Sequence, residues 1–144
     1  MSGSPNEDRS QNESLMIDSI ELENYRGFER YRLSNLARVN LLVGKNNSGK
    51  SSILEAVNLL ATGCDPRVLS RIAHERGEVL HHNTGRENKG VLYSDFSHFF
   101  YDHTFESGAS FEIRSSNAND EQNFIRCSVE PTNDEAKMAF KPIL

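Results

Sequence analysis

Apolar and polar residues alternate through "MIDSIELENY" (residues 16–25), with Ile17, Ile20 and Leu22 apolar and charges between them. That period predicts a strand, slightly out of register near Asp18 and Ser19. "YRGFERYRLS" then bends at Gly27, and Phe28, Tyr31 and Leu33 predict a second strand pairing back on the first. Val39, Leu41, Leu42 and Val43 form a short apolar run ending at Gly44, the pattern of a strand buried on both faces. Beyond Gly49 the period changes. Ile53, Leu54, Ala56, Val57, Leu60 and Ala61 fall at helical spacing until Thr62-Gly63 stops the run. Asp65-Pro66 reads as an N-cap with proline at the first helical position. It opens a second short helix through Val68, Leu69, Ile72 and Ala73, ending at Gly77.

From Glu78 to Gly90 the chain turns polar and loop-like. "VLYSDFSHFFYD" is aromatic-rich and predicts a short helix, with a strand as the alternative. "ASFEIRSS" and "NFIRCSVEP" alternate again, and "NANDEQ" between them reads as the turn of an antiparallel pair. The tail "TNDEAKMAFKPIL" shows no clear pattern. Residues 1–14 are polar and acidic and are expected to be a disordered arm. Residues 15–144 are expected to form one α/β domain.

Charge sharpens this picture. The net charge is -5, which argues against nucleic-acid affinity spread over the whole surface. Yet from Glu21 to Lys50 there are six bases (Arg26, Arg30, Arg32, Arg38, Lys45, Lys50) against three acids (Glu21, Glu23, Glu29). The basic island surrounds "VGKNNSGKSS", as an anion site requires. The two cysteines, Cys64 and Cys127, form no CxxC pair and are expected to be reduced thiols. No apolar run reaches the roughly 20 residues of a membrane span. The N-terminus carries no hydrophobic signal core. A cytoplasmic location without membrane contact is the expectation.

Gly44-Lys45-Asn46-Asn47-Ser48-Gly49-Lys50-Ser51 matches the phosphate-binding pattern G-x-x-x-x-G-K-[ST] position by position. Gly44 lets the chain leave the strand sharply, and Gly49 lets the backbone pass close to a phosphate. The loop's N–H groups make an anion cradle, and the following helix adds its positive end. Lys50 is placed for the β- and γ-phosphates, and the Ser51 hydroxyl for Mg²⁺. Asn46, Ser48 and Ser52 join the candidate set by position, and Asn47 can face the γ-phosphate or an attacking water. Lys45 reads as a solvated loop charge. Guanine selectivity usually rests on Asn-Lys-x-Asp. Asn88-Lys89-Gly90-Val91 lacks the aspartate, so ATP is the expected nucleotide.

Residues 20–60, from the strand before Asn24-Tyr25-Arg26-Gly27-Phe28 through "LARVNLLVGKNNSGKSS" into "SILEAV", resemble the N-terminal segment of ABC-type ATPases of the SMC/RecF/OLD group. The likeness is nearest to the OLD-like AAA ATPases. It implies the N-terminal lobe of a P-loop ATPase head, with antiparallel strands packed beside a P-loop strand and helix. It also implies ATP and Mg²⁺ as ligands, and Arg26 near the nucleotide phosphates. In such heads two copies close over two nucleotides, so self-association, or another ATPase or nuclease subunit, is the implied partner. DNA is implied through the complete assembly, in repair or defence against phage. The sequence shows no apolar strand ending in Asp-Glu and no LSGG-like signature, and no catalytic residue is assigned. "NDEA" at 133–136 lacks an apolar lead-in, and Gln122 reads as a turn residue rather than a metal contact. Two expectations follow. One is an ATP-binding lobe of a larger, DNA-related ATPase. The other is a non-catalytic module that pairs with another ATPase chain. Phe96, Phe99, Phe100 and Tyr101 lack interleaved bases, and packing against the sheet is favoured over base stacking. The five histidines have no partners at zinc spacing.

Overall fold

The computed structural model describes residues 16–82, 91–119, 121–131 and 138–143. The predicted N-terminal arm, most of the polar loop before Gly90, and "NDEA" lie outside the described residues. Strands β1 (Ile17–Tyr25) and β2 (Phe28–Leu33) form the predicted hairpin. Helices α1 (Lys50–Ala61) and α2 (Pro66–Arg76) follow. A small pair, β3 (Val79–His82) with β4 (Val91–Ser94), comes next. Two 3-10 turns over Phe96–Phe99 and Tyr101–His103 then lead into β5 (Ser110–Asn117), β6 (Gln122–Pro131) and β7 (Met138–Ile143). The main sheet has the order β2-β1-β5-β6-β7. Every neighbouring pair in it is antiparallel.

Alternation decides which side of this sheet is buried. Ile20 and Leu22 of β1 lie beside Leu33 and Tyr31 of β2 and beside Ser115 and Ile113 of β5. The register of β1 on β5 shifts between Ile17 and Ser19, where the sequence pattern slips. The inner face continues through Phe111, Ile125, Cys127 and Val129. Ile53, Ala56, Leu59 and Leu60 of α1 close over it, joined by Leu69, Ile72 and Ala73 of α2. Helix α2 starts as the sequence predicts. The Asp65 carboxylate accepts from Arg67 N–H at 2.8 Å, with Pro66 at the first position and Gly77 left-handed at the end.

The aromatic segment packs against the sheet. Tyr25, Phe99, Phe100 and Phe111 are buried together, with Tyr25 and Phe111 ring centroids 5.2 Å apart. Backbone bonds pin this segment to the first hairpin. Arg26 N–H donates to the Phe99 carbonyl at 2.9 Å, and Tyr25 bridges Phe100.

The outer face of the sheet is a lattice of charge. Arg32 pairs with Glu21 at 3.0 Å, Arg30 with Glu23 at 3.4 Å, and Arg114 with Glu23 at 3.7 Å and with Glu112. Arg126 closes on Glu112 at 2.6 Å. Two members of the basic island of the sequence, Arg30 and Arg32, are thus met by acids on the neighbouring strand.

Two expectations are corrected. Residues 39–43 do not form the buried strand that their composition predicts. They run without strand pairing, and Val39, Leu41 and Val43 are 88%, 85% and 78% exposed. Among the described residues no neighbouring strand supplies hydrogen bonds to them, and apolar composition alone makes no sheet. Cys64 and Cys127 also meet, sulfur to sulfur, from the end of α1 and from β6. Both are buried. Their Cα atoms are 7.6 Å apart, and the two sulfurs are paired with each other rather than standing as the free thiols that the sequence suggests.

Candidate functional site

The loop between residues 43 and 50 closes around its own lysine. From the first turn of α1, Lys50 Nζ donates to the Gly44 carbonyl at 2.9 Å, the Lys45 carbonyl at 2.6 Å and Ser48 Oγ at 3.2 Å. The ammonium therefore sits inside the curve of the loop. Gly49 stands immediately before the helix in a left-handed conformation, φ 83°, and no side chain caps the helix start. The first-turn N–H groups are left for an anion, with no acidic side chain to repel it.

Gly49 is required for a second reason. A Cβ built there would lie 2.4 Å from Cζ of Phe28. The Phe28 ring, tilted against Tyr31 with centroids 4.8 Å apart, rests directly on the loop backbone. This ring brings the β1–β2 hairpin into contact with the loop. Asn47 adopts φ 63°, a conformation that asparagine tolerates better than most residues.

Arg26 lies at the turn of that hairpin, with φ 52°. It is buried, and its guanidinium is engaged by carboxylates. Nη1 and Nη2 reach the two oxygens of Glu78 at 2.8 and 3.3 Å. Nε lies 2.8 Å from Glu55 Oε2, close enough for ion pairing but not aligned as a hydrogen bond. Glu55 also takes Arg76 Nε at 2.6 Å, and the guanidinium of Arg26 sits 4.4 Å from the Phe99 ring centroid. Burial opposes the charge on Arg26, but the bond to Glu78 and the nearby Tyr25 and Glu55 outweigh it, so its pKa is raised. Burial likewise holds the Tyr25 phenol well above its ordinary value, only partly offset by Arg26.

Arg26, Phe28, Asn47, Ser48, Gly49 and Ser52 share the wall of one cleft of about 670 Å³. Ser52 is buried, with Arg76 Nη2 3.5 Å from its hydroxyl. Gly44, Asn46, Lys50 and Ser51 lie outside that wall, on the loop and the first turn of α1. The sequence reading therefore placed a contiguous loop, which the structure curls around Lys50. Glu55, Arg76 and Glu78, which hold Arg26, carry no motif, and Tyr101, expected to pack against the sheet, is instead exposed on the far wall of the cleft with His98, Asp102 and His103. Glu55 alone left a trace, as a charge within an apolar helical run. Gln122 opens β6 and is exposed, away from the cleft.

A family model described as AAA ATPase domain matches residues 16–141. The chain belongs to this family. As an AAA ATPase domain it also shows local likeness to longer proteins. It is 50% identical over 44 residues to an uncharacterized protein of Methanocaldococcus jannaschii, covering 31% of this chain and 20% of that protein. It is 40% identical over 70 residues to the DNA replication and repair protein RecF of Bacillus cereus, covering 45% of this chain and 19% of RecF. The RecF of Bacillus thuringiensis is 40% identical over 47 residues, 33% of this chain and 12% of that protein. The chain thus spans about a fifth or less of the length of these relatives. No helix among the described residues is long and apolar enough to cross a membrane.

Proposed function

We propose that residues 44–51 form a P-loop (Walker A) that binds Mg-ATP, within an ATPase that acts on DNA in its complete form. The observation that carries this reading is the Lys50 ammonium, held within the loop's curve at the uncapped start of α1. A phosphate entering there meets backbone N–H groups, a positive helix end and the Lys50 ammonium together. Bound Mg²⁺ would supply positive charge against the charge developing in phosphoryl transfer. Ser51 is the residue that would hold it. Asn46, Asn47 and Ser48 line the phosphate side. Arg26 acts at one remove, because its guanidinium is already bound by Glu55 and Glu78, and it fixes the hairpin turn and α1 relative to the loop. The DNA-related role is supported by the likeness to RecF. The OLD-like assignment, with defence against phage, rests on the motif from Asn24 to Ser52.

The test is calorimetric titration with Mg-ATP, with Lys50→Ala beside the wild type and matched melting curves for both. Micromolar binding, roughly -8 kcal/mol, is the expected scale for the wild type. Lys50→Ala should weaken it at least tenfold. Equal binding by both proteins, or none by either, overturns the reading.

A second reading, a non-catalytic module that pairs with another ATPase chain, is favoured by one observation. Val39, Leu41 and Val43 expose apolar side chains from a segment that pairs with no strand among the described residues. Such an edge is a template for another strand.

A further inference from the structure

We infer that the wall opposite the phosphate loop, formed by the two 3-10 turns, is the nucleoside subsite: Tyr101 and His103 receive the base and ribose of the nucleotide. This rests on the P-loop reading above and extends it to the other end of the ligand.

The cleft has two unlike walls. One is the loop side, with Asn47, Ser48 and Gly49 and the buried Ser52. The other is presented by the turns over Phe96–Phe99 and Tyr101–His103. That second wall is aromatic and imidazole in character, and it does not belong to the core. Phe99 and Phe100 turn inward and are buried, whereas Tyr101, Asp102 and His103 are exposed. The phosphate loop supplies charge and N–H groups but no planar surface. The rings of His98, Tyr101 and His103 line the far side of the same cleft of about 670 Å³.

The geometry of the far wall is fixed from behind. His98 and His103 meet edge to face with centroids 4.4 Å apart, and His98 Nε2 lies 3.6 Å from Asp95. Phe100 N–H donates to the Ser97 carbonyl at 3.0 Å, and His103 N–H to the Phe100 carbonyl at 3.2 Å. Asp102 and His103 both take left-handed backbone conformations, φ 53° and 54°. These side chains are thereby held out into solvent at a bend tied to the first hairpin through Arg26 and Phe99. Stacking on such a surface is sequence-tolerant because every base has a π-face. Asp102, which has no ion-pair partner among the described residues, adds an acceptor for an exocyclic amino group or a ribose hydroxyl.

The experiment separates the two ends of the ligand. Mg-ATP and Mg-tripolyphosphate are each titrated into wild-type protein, Tyr101→Ala and His103→Ala, after melting curves establish that all three are folded. Tripolyphosphate carries the phosphates without base or ribose. The expected result is that one or both variants lose ATP affinity about tenfold, equivalent to about 1.4 kcal/mol, and keep tripolyphosphate affinity within about twofold. Two outcomes overturn the subsite while leaving the phosphate site intact: unchanged ATP affinity in both variants, or an equal loss for both ligands. If the wild type binds neither ligand, the phosphate reading itself fails and the subsite falls with it. If Tyr101→Ala and His103→Ala unfold, Tyr101→Leu and His103→Gln take their place and are judged by the same ratio.

Discussion

Two clusters of arginine and glutamate lie within the same small domain, one inside it and one on its surface. Around Arg26, two carboxylates hold a single guanidinium that is only 6% exposed. On the outer face of the sheet, Arg30 meets Glu23 and Arg32 meets Glu21, with Arg30 84% and Arg32 62% exposed. The residue types are the same and the consequences are not. Buried charges cost several kcal/mol each to desolvate, so removing one partner strands the others. Surface pairs gain little, because water already solvates both ends. Burial, not the count of ion pairs, decides which cluster holds the fold.

The sharpest way to break this contrast is Arg26→Met. It should leave Glu78 without its cation and Glu55 with Arg76 alone, and destabilise the domain by about 3–5 kcal/mol in urea unfolding. A change below about 1 kcal/mol would show that the buried cluster behaves like the surface one. Converting Glu55 and Glu78 to Gln on that background should recover part of the loss.

Arg30→Met and Arg32→Met probe the other cluster. Each should shift stability by no more than about 0.5 kcal/mol, and the difference should shrink as salt rises. A loss of about 2 kcal/mol from either would mean that the lattice is coupled across strands, and a double-mutant cycle would locate the coupling.

The smallest effect is at a surface pair, the half-buried Asp65 and the exposed Arg67. Arg67, through its side chain and then its N–H, lowers the Asp65 pKa from 3.8 to about 2. A lowered value in the folded state means that the contribution is complete above the unfolded value and is lost as pH falls through the folded one. Helix α2 should therefore lose its cap only as the pH drops from about 3.8 toward about 2. Asp65→Asn should flatten that part of an acid melt followed by circular dichroism. An unchanged acid profile would remove Asp65 from the account.

Local signals in the sequence were enough for much of the fold. The slip at Asp18 appears as the register shift of β1, Asp65-Pro66 starts α2, and β5 and β6 form the hairpin around the predicted turn. What failed was non-local. Residues 39–43 look like a buried strand because burial is normally the fate of Val and Leu, but a strand exists only with a neighbour to pair with. Strand β7 was missed because its alternation is broken by Lys141 and Pro142, and pairing with β6 supplies its order. At the site, the loop was legible because its residues are contiguous. The partners of Arg26 were not, since Glu78 lies 52 positions away. The meeting of Cys64 with Cys127, 63 positions apart, was equally hidden.

The charge lattice on the outer face of the sheet also bears on how nucleic acid can be held. A polyanion gains affinity by releasing condensed counterions to free cationic groups. Here, each of the four arginines on the outer face already has a carboxylate within reach. An arginine that turned toward a phosphate would leave a carboxylate behind, repelling the same strand. Binding through this face would release few counterions, so its affinity would change only slightly with salt. A steep salt dependence in the complete protein would place the DNA on some other surface.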